Sequence, residues 1–85
     1  MNELESLKKK IKYRSSYRGT KEMDLLLSSF ASKYTDSFSH AELIKLDDFM
    51  NCSDEDINNF YLNKKPIPLF DDKKILDLFR CHKIQ

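Results

Sequence analysis

The chain has 85 residues and a net charge of +1, and 40 % of its residues are hydrophobic while 34 % are charged. This balance excludes wholesale disorder, and the lack of any run of 18 apolar residues excludes a membrane-spanning helix. One glycine and two prolines are too few turn residues for an all-β protein of this length. We therefore predict an all-α fold, a compact, bundle-like arrangement of five helices in which residues 1–85 form a single domain.

The first two predicted helices flank Gly19, the only glycine in the chain. The first helix runs from about Glu3 to Tyr17 and carries a narrow apolar stripe. The second runs from about Thr20 to Tyr34, with Thr20 as its N-cap, and has the strongest amphipathic pattern in the sequence. The apolar stripe of the first helix consists of Leu4, Leu7 and Ile11.

Each of the three remaining helices begins at a polar residue that can cap it. Ser39 and Glu42 have the spacing of a capping box at the third helix. The fourth helix is short and ends at Asn63, and residues 64–70, which contain two prolines, form an extended connector. Two neighbours compete for each later cap: Ser53 or Asp54, and Asp71 or Asp72. The predicted core residues are Met23, Leu26, Leu27, Phe30, Leu43, Leu46, Phe49, Phe60 and Phe79.

The charges are distributed unevenly along the chain. Residues 1–21 contain seven basic residues and two acidic ones, whereas residues 36–56 contain seven acidic residues and Lys45 alone. The two regions either attract each other within the domain, or the basic stretch, with Tyr13 and Tyr17 interleaved, binds the phosphates and bases of a nucleic acid. A pI near 7.7 and the acidic third and fourth helices argue against nucleic acid. An adaptor for another protein is a further alternative.

The sequence offers little for catalysis or metal binding. Cys52 and Cys81 match no CxxC spacing, and Cys81 and His82 are neighbours that point about 100° apart on a helix. We predict reduced, partly buried thiols and no metal site. Arg80, His82 and Lys83 are expected to complement the dipole of the last helix. A Gly-rich phosphate loop and a Rossmann fingerprint are both missing from the sequence. We therefore expect no enzymatic activity and no stably bound cofactor.

The segment around Gly19 is the most informative part of the chain. A glycine between two helices allows another backbone to approach closely. Arg18 precedes Gly19, and Glu22 follows Arg18 by four residues. In one interpretation Gly19 merely ends the first helix, and Glu22 forms a surface ion pair with Arg18 or Lys21 worth about 0.2–1 kcal/mol. In the other interpretation this segment contacts a partner.

The same segment resembles the signature of the succinate dehydrogenase assembly factors, which are often called flavinators. The hallmark of that family is Arg-Gly-x-x-Glu, commonly followed by x-Asp, at the junction of the first two helices. Here the stretch reads Arg18-Gly19-Thr20-Lys21-Glu22-Met23-Asp24. The acidic Asp54-Glu55-Asp56 and the Pro66-Ile67-Pro68 connector also resemble the family, in its bacterial branch, and the resemblance covers about residues 7–80.

Two positions depart from the family pattern. Tyr17 stands where a basic residue is common, and Phe60 stands where a Trp is common. The first departure removes a charge beside the motif. The second exchanges one aromatic residue for another.

The resemblance implies binding to the free flavoprotein subunit of succinate dehydrogenase, or of fumarate reductase, and promotion of covalent FAD attachment to a histidine of that subunit. It implies that FAD belongs to the client and that the attachment chemistry lies there. Arg18 would offer a forked donor set to the partner, and Glu22 would receive a basic group or hold Arg18 in place. The implied contact patch is Arg14, Tyr17, Arg18, Gly19, Glu22 and Asp24.

We also predict the state and location of the protein. The N-terminal residues lack the apolar core of a signal peptide, and Glu3 and Glu5 disfavour a mitochondrial transit peptide. The chain is therefore expected to be cytoplasmic. A monomer without bound nucleic acid is the expected state.

Overall fold

Five α-helices make up the part of the chain that the computed structural model describes, residues 3–83. No β-strand occurs within those residues. The all-α, five-helix prediction is therefore confirmed, with bounds within one or two residues of those expected. The helices are α1 (Glu3–Ser16), α2 (Lys21–Tyr34), α3 (His40–Met50), α4 (Asp54–Asn63) and α5 (Lys73–Cys81).

Side-chain caps explain where four of these helices begin. The Thr20 hydroxyl accepts a hydrogen bond from the Met23 N–H at the start of α2. At α3, both hydrogen bonds of the predicted capping box are present. Ser53 caps α4 and Asp72 caps α5, which resolves the two alternatives that the sequence left open. Asp54 is consequently free for another role.

Three fully buried phenylalanines join α2, α3 and α5. The ring centroids of Phe30, Phe49 and Phe79 lie 5.0–6.1 Å apart. All of the predicted core residues are buried except Phe60, which is half-buried. The connector after α4 also contributes to the core, because Ile67 and Phe70 turn inward, a feature that the proline pattern did not predict.

The basic face of α1 lies along acidic residues of the turn before α3 and of α3 itself. Internal attraction, one of the two interpretations of the charge asymmetry, is thus present in the structure. Such pairs are worth little individually when exposed, but together they orient α1. The pairs join Lys8 and Lys12 to Asp36 at 3.7 and 3.9 Å, and Lys10 and Arg14 to Asp47 at 3.1 and 3.9 Å.

His82 is the C-cap of α5 and is buried. Its ring centroid lies 5.3 Å from that of Phe30, and its Nε2 lies 2.8 Å from Ser29 Oγ. Burial, assisted by the nearby charge of Lys33, lowers the pKa of His82. Arg80 lies in the last turn of α5, where its charge complements the helix dipole as predicted, and the lowered pKa of His82 weakens the contribution of His82 to that role.

Candidate functional site

The short link between α1 and α2 is shaped by a carboxylate from a distant part of the chain. The Gly19 N–H donates to Asp54 Oδ2 at 2.6 Å. A Cβ atom on residue 19 would lie 3.0 Å from that same oxygen. The backbone of Gly19 does not have a positive φ, so the close approach of Asp54 is what makes glycine suitable here.

Arg18 turns inward at this link, and its side chain is 9 % exposed. Its Nε donates to Asp54 Oδ1 at 2.6 Å, and its Nη2 donates to the Cys52 carbonyl at 2.9 Å. Its Nη1 donates to the carbonyls of Met50 and Arg14 at 2.8 and 3.3 Å. Four of the five guanidinium N–H groups are thus used within the chain. We call Arg18, Asp54 and these three carbonyls the Arg18 clasp.

The clasp joins the ends of three helices. The carbonyls of Met50 and Cys52 lie at the C-terminal end of α3, where carbonyl groups lack helical partners and carry partial negative charge. Asp54 lies in the first turn of α4, and Arg14 lies in the last turn of α1. A guanidinium group suits this position because its planar fork can bond a carboxylate and several carbonyls together.

Within this chain, the contacts of Arg18 differ from those that the resemblance implies, and its contact with a partner stays a prediction. The donor fork of Arg18 faces the interior. Asp54, and not Glu22, holds the guanidinium in place. Glu22 is exposed, and its side chain forms no hydrogen bond or ion pair with any residue between positions 3 and 83.

Of the remaining predicted site residues, some hold the junction between α1 and α2 in place and others are exposed to solvent. Asp24 Oδ1 accepts a hydrogen bond from the Arg18 N–H at 2.5 Å, which fixes the entry into α2. Arg14 is half-buried and contributes its carbonyl to the clasp. Tyr17 is 72 % exposed, and its ring centroid lies 4.6 Å from that of Tyr13, which is also exposed. The structure therefore brings Arg14, Arg18, Gly19 and Asp24 together, and it leaves the side chains of Tyr17 and Glu22 in solvent.

Asp54 is the residue that sequence reasoning missed at this site. It was interpreted as a candidate cap and as part of an acidic helix start. Ser53 caps α4, so Asp54 is not needed as the cap. Its carboxylate instead pairs with Arg18, which lies 36 residues earlier in the chain. The sequence alone does not show that Arg18 and Asp54 lie close together in the fold.

A groove of about 620 Å³ lies beside the clasp, between α2 and α4. Four apolar side chains, from Met23, Leu26, Tyr61 and Leu62, contribute to its lining. Glu22 and Glu55 also line it. The groove therefore combines apolar surface with negative charge.

The two cysteines have different environments. Cys52 is half-buried next to the clasp, whereas Cys81 is exposed, so the prediction of partial burial holds for Cys52 only. Burial is the main cause that raises the pKa of the Cys52 thiol, and Asp56 adds to it while Arg18 opposes it. Within residues 3–83, no group of three or more His, Cys, Asp or Glu side chains could hold a metal ion, and no helix has the length and apolarity that a bilayer span requires.

Comparison with known proteins gave one family and several relatives. The chain is 38 % identical over 81 residues to succinate dehydrogenase assembly factor 2-A, mitochondrial, of Drosophila ananassae. It is 37 % identical over 81 residues to factor 2-B of Drosophila persimilis and to factor 2-A of Drosophila mojavensis, both also named mitochondrial. Each alignment covers 93 % of this chain and 52 % of the relative, so the chain spans about half the length of these relatives. No solved structure matches.

The family match covers most of the chain. Residues 9–83 match the family described as flavinator of succinate dehydrogenase. This range includes the Arg18 clasp, the groove and all five helices except the first turns of α1. The chain belongs to the flavinator family of succinate dehydrogenase.

Proposed function

We propose that this chain binds the free flavoprotein subunit of succinate dehydrogenase and promotes covalent attachment of FAD to that subunit. The observation that carries the proposal is the family match over residues 9–83. The relatives are named as assembly factors of the same enzyme. The junction where the resemblance implies the contact patch is held by the Arg18 clasp and is partly exposed, which supports the proposal.

The Arg18 clasp supports this function by fixing the junction before a partner arrives. A preformed surface loses less conformational entropy on binding than a mobile one. In this proposal Tyr17, Gly19 and Glu22 contact the flavoprotein, since all three are exposed. Tyrosine suits such a contact because it supplies large apolar area together with a polar end. Arg18 and Asp24 hold these residues in position through hydrogen bonds within the chain.

The proposed action is a shift in conformational population and not catalysis. A protein that binds one conformation of a client increases the fraction of the client in that conformation. If the favoured arrangement holds the flavin and the acceptor histidine in register, attachment proceeds faster although this chain performs no chemical step. FAD stays with the client in this account, and this chain holds no cofactor of its own.

The nucleic-acid alternative is weakened by the ion pairs of α1. Cations that would meet phosphates lie instead within 3.1–3.9 Å of Asp36 and Asp47. Arg18 is also withdrawn into the clasp. These contacts reduce the positive field that nonspecific binding to a nucleic acid requires.

Three finer statements stay predictions for this chain. They are membership of the bacterial branch, a monomeric state, and a cytoplasmic location. The relatives are named mitochondrial, and fractionation of the source cells would decide the location. Sedimentation of the purified protein would decide its oligomeric state.

Reconstitution tests the proposed function. The apo flavoprotein subunit from the same organism is mixed with FAD and a dicarboxylate, with or without this chain, and covalent flavin is read as fluorescence in a denaturing gel. We expect the wild-type chain to increase the fluorescent band. No increase with folded wild-type protein would refute the proposal.

Two variants test the contact patch in the same assay. Tyr17→Ala removes an exposed ring without touching the clasp, and Gly19→Arg places a large side chain against Asp54. Ser37→Arg, in the exposed turn between α2 and α3, is the matched control for the second variant. Both patch variants should reduce the flavin band while the control does not. Equal activity of Tyr17→Ala and wild type would remove Tyr17 from the patch.

A further inference from the structure

The groove between α2 and α4 exposes apolar surface that the core does not need. Leu62 is 64 % exposed at the groove, although Met23 and Leu26 on its other side are almost completely buried. Its volume of about 620 Å³ falls within the range of about 300–1,000 Å³ that ligand-binding clefts occupy. Tyr61 is half-buried at the same groove, so Leu62 and Tyr61 supply most of its exposed apolar surface.

The carboxylates of the groove also lack partners. Glu22 and Glu55 lie in the first turns of α2 and α4, and both are exposed. Among residues 3–83, neither side chain forms a hydrogen bond or an ion pair. Asp54 differs from them, because Arg18 and Gly19 occupy both of its oxygens. The groove therefore presents two negative charges that have no side-chain partner among these residues, beside an apolar surface.

We propose that this groove binds a segment of the flavoprotein subunit in which an apolar side chain is flanked by lysine or arginine. Charge complementarity selects this occupant, since a basic segment would neutralise Glu22 and Glu55 while its apolar side chain covers Leu62. The groove is continuous with the junction, because Thr20 and Glu22 line it and directly follow Gly19. The inference rests on the proposed function for the identity of the partner, and it adds a second contact region and its chemistry.

Paired substitutions test the apolar part. Leu62→Lys places a cation where the partner's cations and apolar side chain would lie, and Ile44→Lys makes the same change at an exposed position of α3 outside the groove. Binding of each full chain to the purified apo flavoprotein subunit is measured by calorimetry. We expect the Kd of Leu62→Lys to rise about tenfold or more, as for a buried anchor, and that of Ile44→Lys to change by less than about twofold. Thermal unfolding of each variant verifies the fold.

A second pair tests the charge. Glu55→Gln should weaken binding and reduce its dependence on salt, whereas Asp48→Asn, at an exposed carboxylate outside the groove, should not. Equal binding of Glu55→Gln and wild type at low and high salt would overturn the basic character of the occupant.

The outcomes separate this inference from the proposed function. If wild-type protein binds and raises covalent flavin but Leu62→Lys binds as well as Ile44→Lys, the groove is not a docking site and the proposed function stands. If wild-type protein neither binds nor raises covalent flavin, both fail.

Discussion

Replacement of Asp54 by Asn is expected to destabilise the fold more than any other single change of surface charge. Asp54 Oδ1 accepts from the Arg18 side chain and Oδ2 accepts from the Gly19 backbone, both at 2.6 Å. Asn keeps the shape and one acceptor oxygen but removes the negative charge. It also brings an NH₂ group towards one of two N–H donors, which leaves that donor without an acceptor.

The expected loss follows from the burial of the two partners. The Arg18 side chain is 9 % exposed and that of Asp54 is 30 % exposed, so water can compensate only in part. A hydrogen bond to a charged group contributes about 1.5–3 kcal/mol, and leaving a buried charge without its partner costs about 3–5 kcal/mol. Because water screens the exposed part of Asp54, we expect the free energy of unfolding to fall by about 2–4 kcal/mol. A domain of this size has roughly 4–13 kcal/mol in total, so the variant should be visibly less stable.

Urea denaturation followed by circular dichroism measures this loss. Asp36→Asn is the matched control, because its side chain is 72 % exposed and its pairs with Lys8 and Lys12 are 3.7 and 3.9 Å long. The control should lose less than about 1 kcal/mol. If both variants unfolded within about 0.5 kcal/mol of each other, the clasp would not stabilise the fold as we argue.

Three further predictions concern neighbouring features. Arg18→Lys should lose about 1–3 kcal/mol in urea denaturation, because one ammonium cannot reach the carboxylate and the carbonyls together. The stability of wild type should fall as pH decreases through about 6.5, because the lowered pKa of His82 means that the unfolded state takes up a proton before the folded state, and His82→Gln should remove this fall. Iodoacetamide should modify Cys81 before Cys52, since Cys81 is exposed and the pKa of the Cys52 thiol is raised, as peptide mass mapping would show.

Each of these predictions has an outcome that contradicts it. Arg18→Lys with the stability of wild type would mean that the fork geometry is unimportant. His40→Gln changes an exposed histidine and serves as the control for His82→Gln, so an equal pH dependence in both variants would remove His82 as the cause. Faster alkylation of Cys52 than of Cys81 would contradict the burial of the Cys52 thiol.

The helices and their caps could be predicted because their causes are local. The amphipathic spacing of α2 and the capping box of Ser39 and Glu42 lie within a few residues of each other, and the structure contains both. Phe30 and Phe79 are predictable as core residues, because the apolar face of an amphipathic helix packs against the rest of the protein.

The clasp could not be predicted, because its partners are far apart in the chain. Arg18 and Asp54 are separated by 36 residues, and the carbonyls of Met50 and Cys52 carry no sequence signal at all. Within the local sequence, Glu22 is the nearest acidic residue at helical spacing from Arg18, although Asp54 is its partner. The burial of Ile67 in the connector could not be predicted either. Pro66 and Pro68 restrict the backbone, but they do not determine where the Ile67 side chain packs.

We propose that this chain accelerates flavin attachment by binding the flavoprotein subunit. The most direct test measures the initial rate of covalent flavin formation in the apo subunit against the concentration of this chain. A population shift predicts a saturable increase, half-complete at the Kd that calorimetry gives for the same pair. A rate that does not depend on this chain, at concentrations where the complex is formed, would contradict the account.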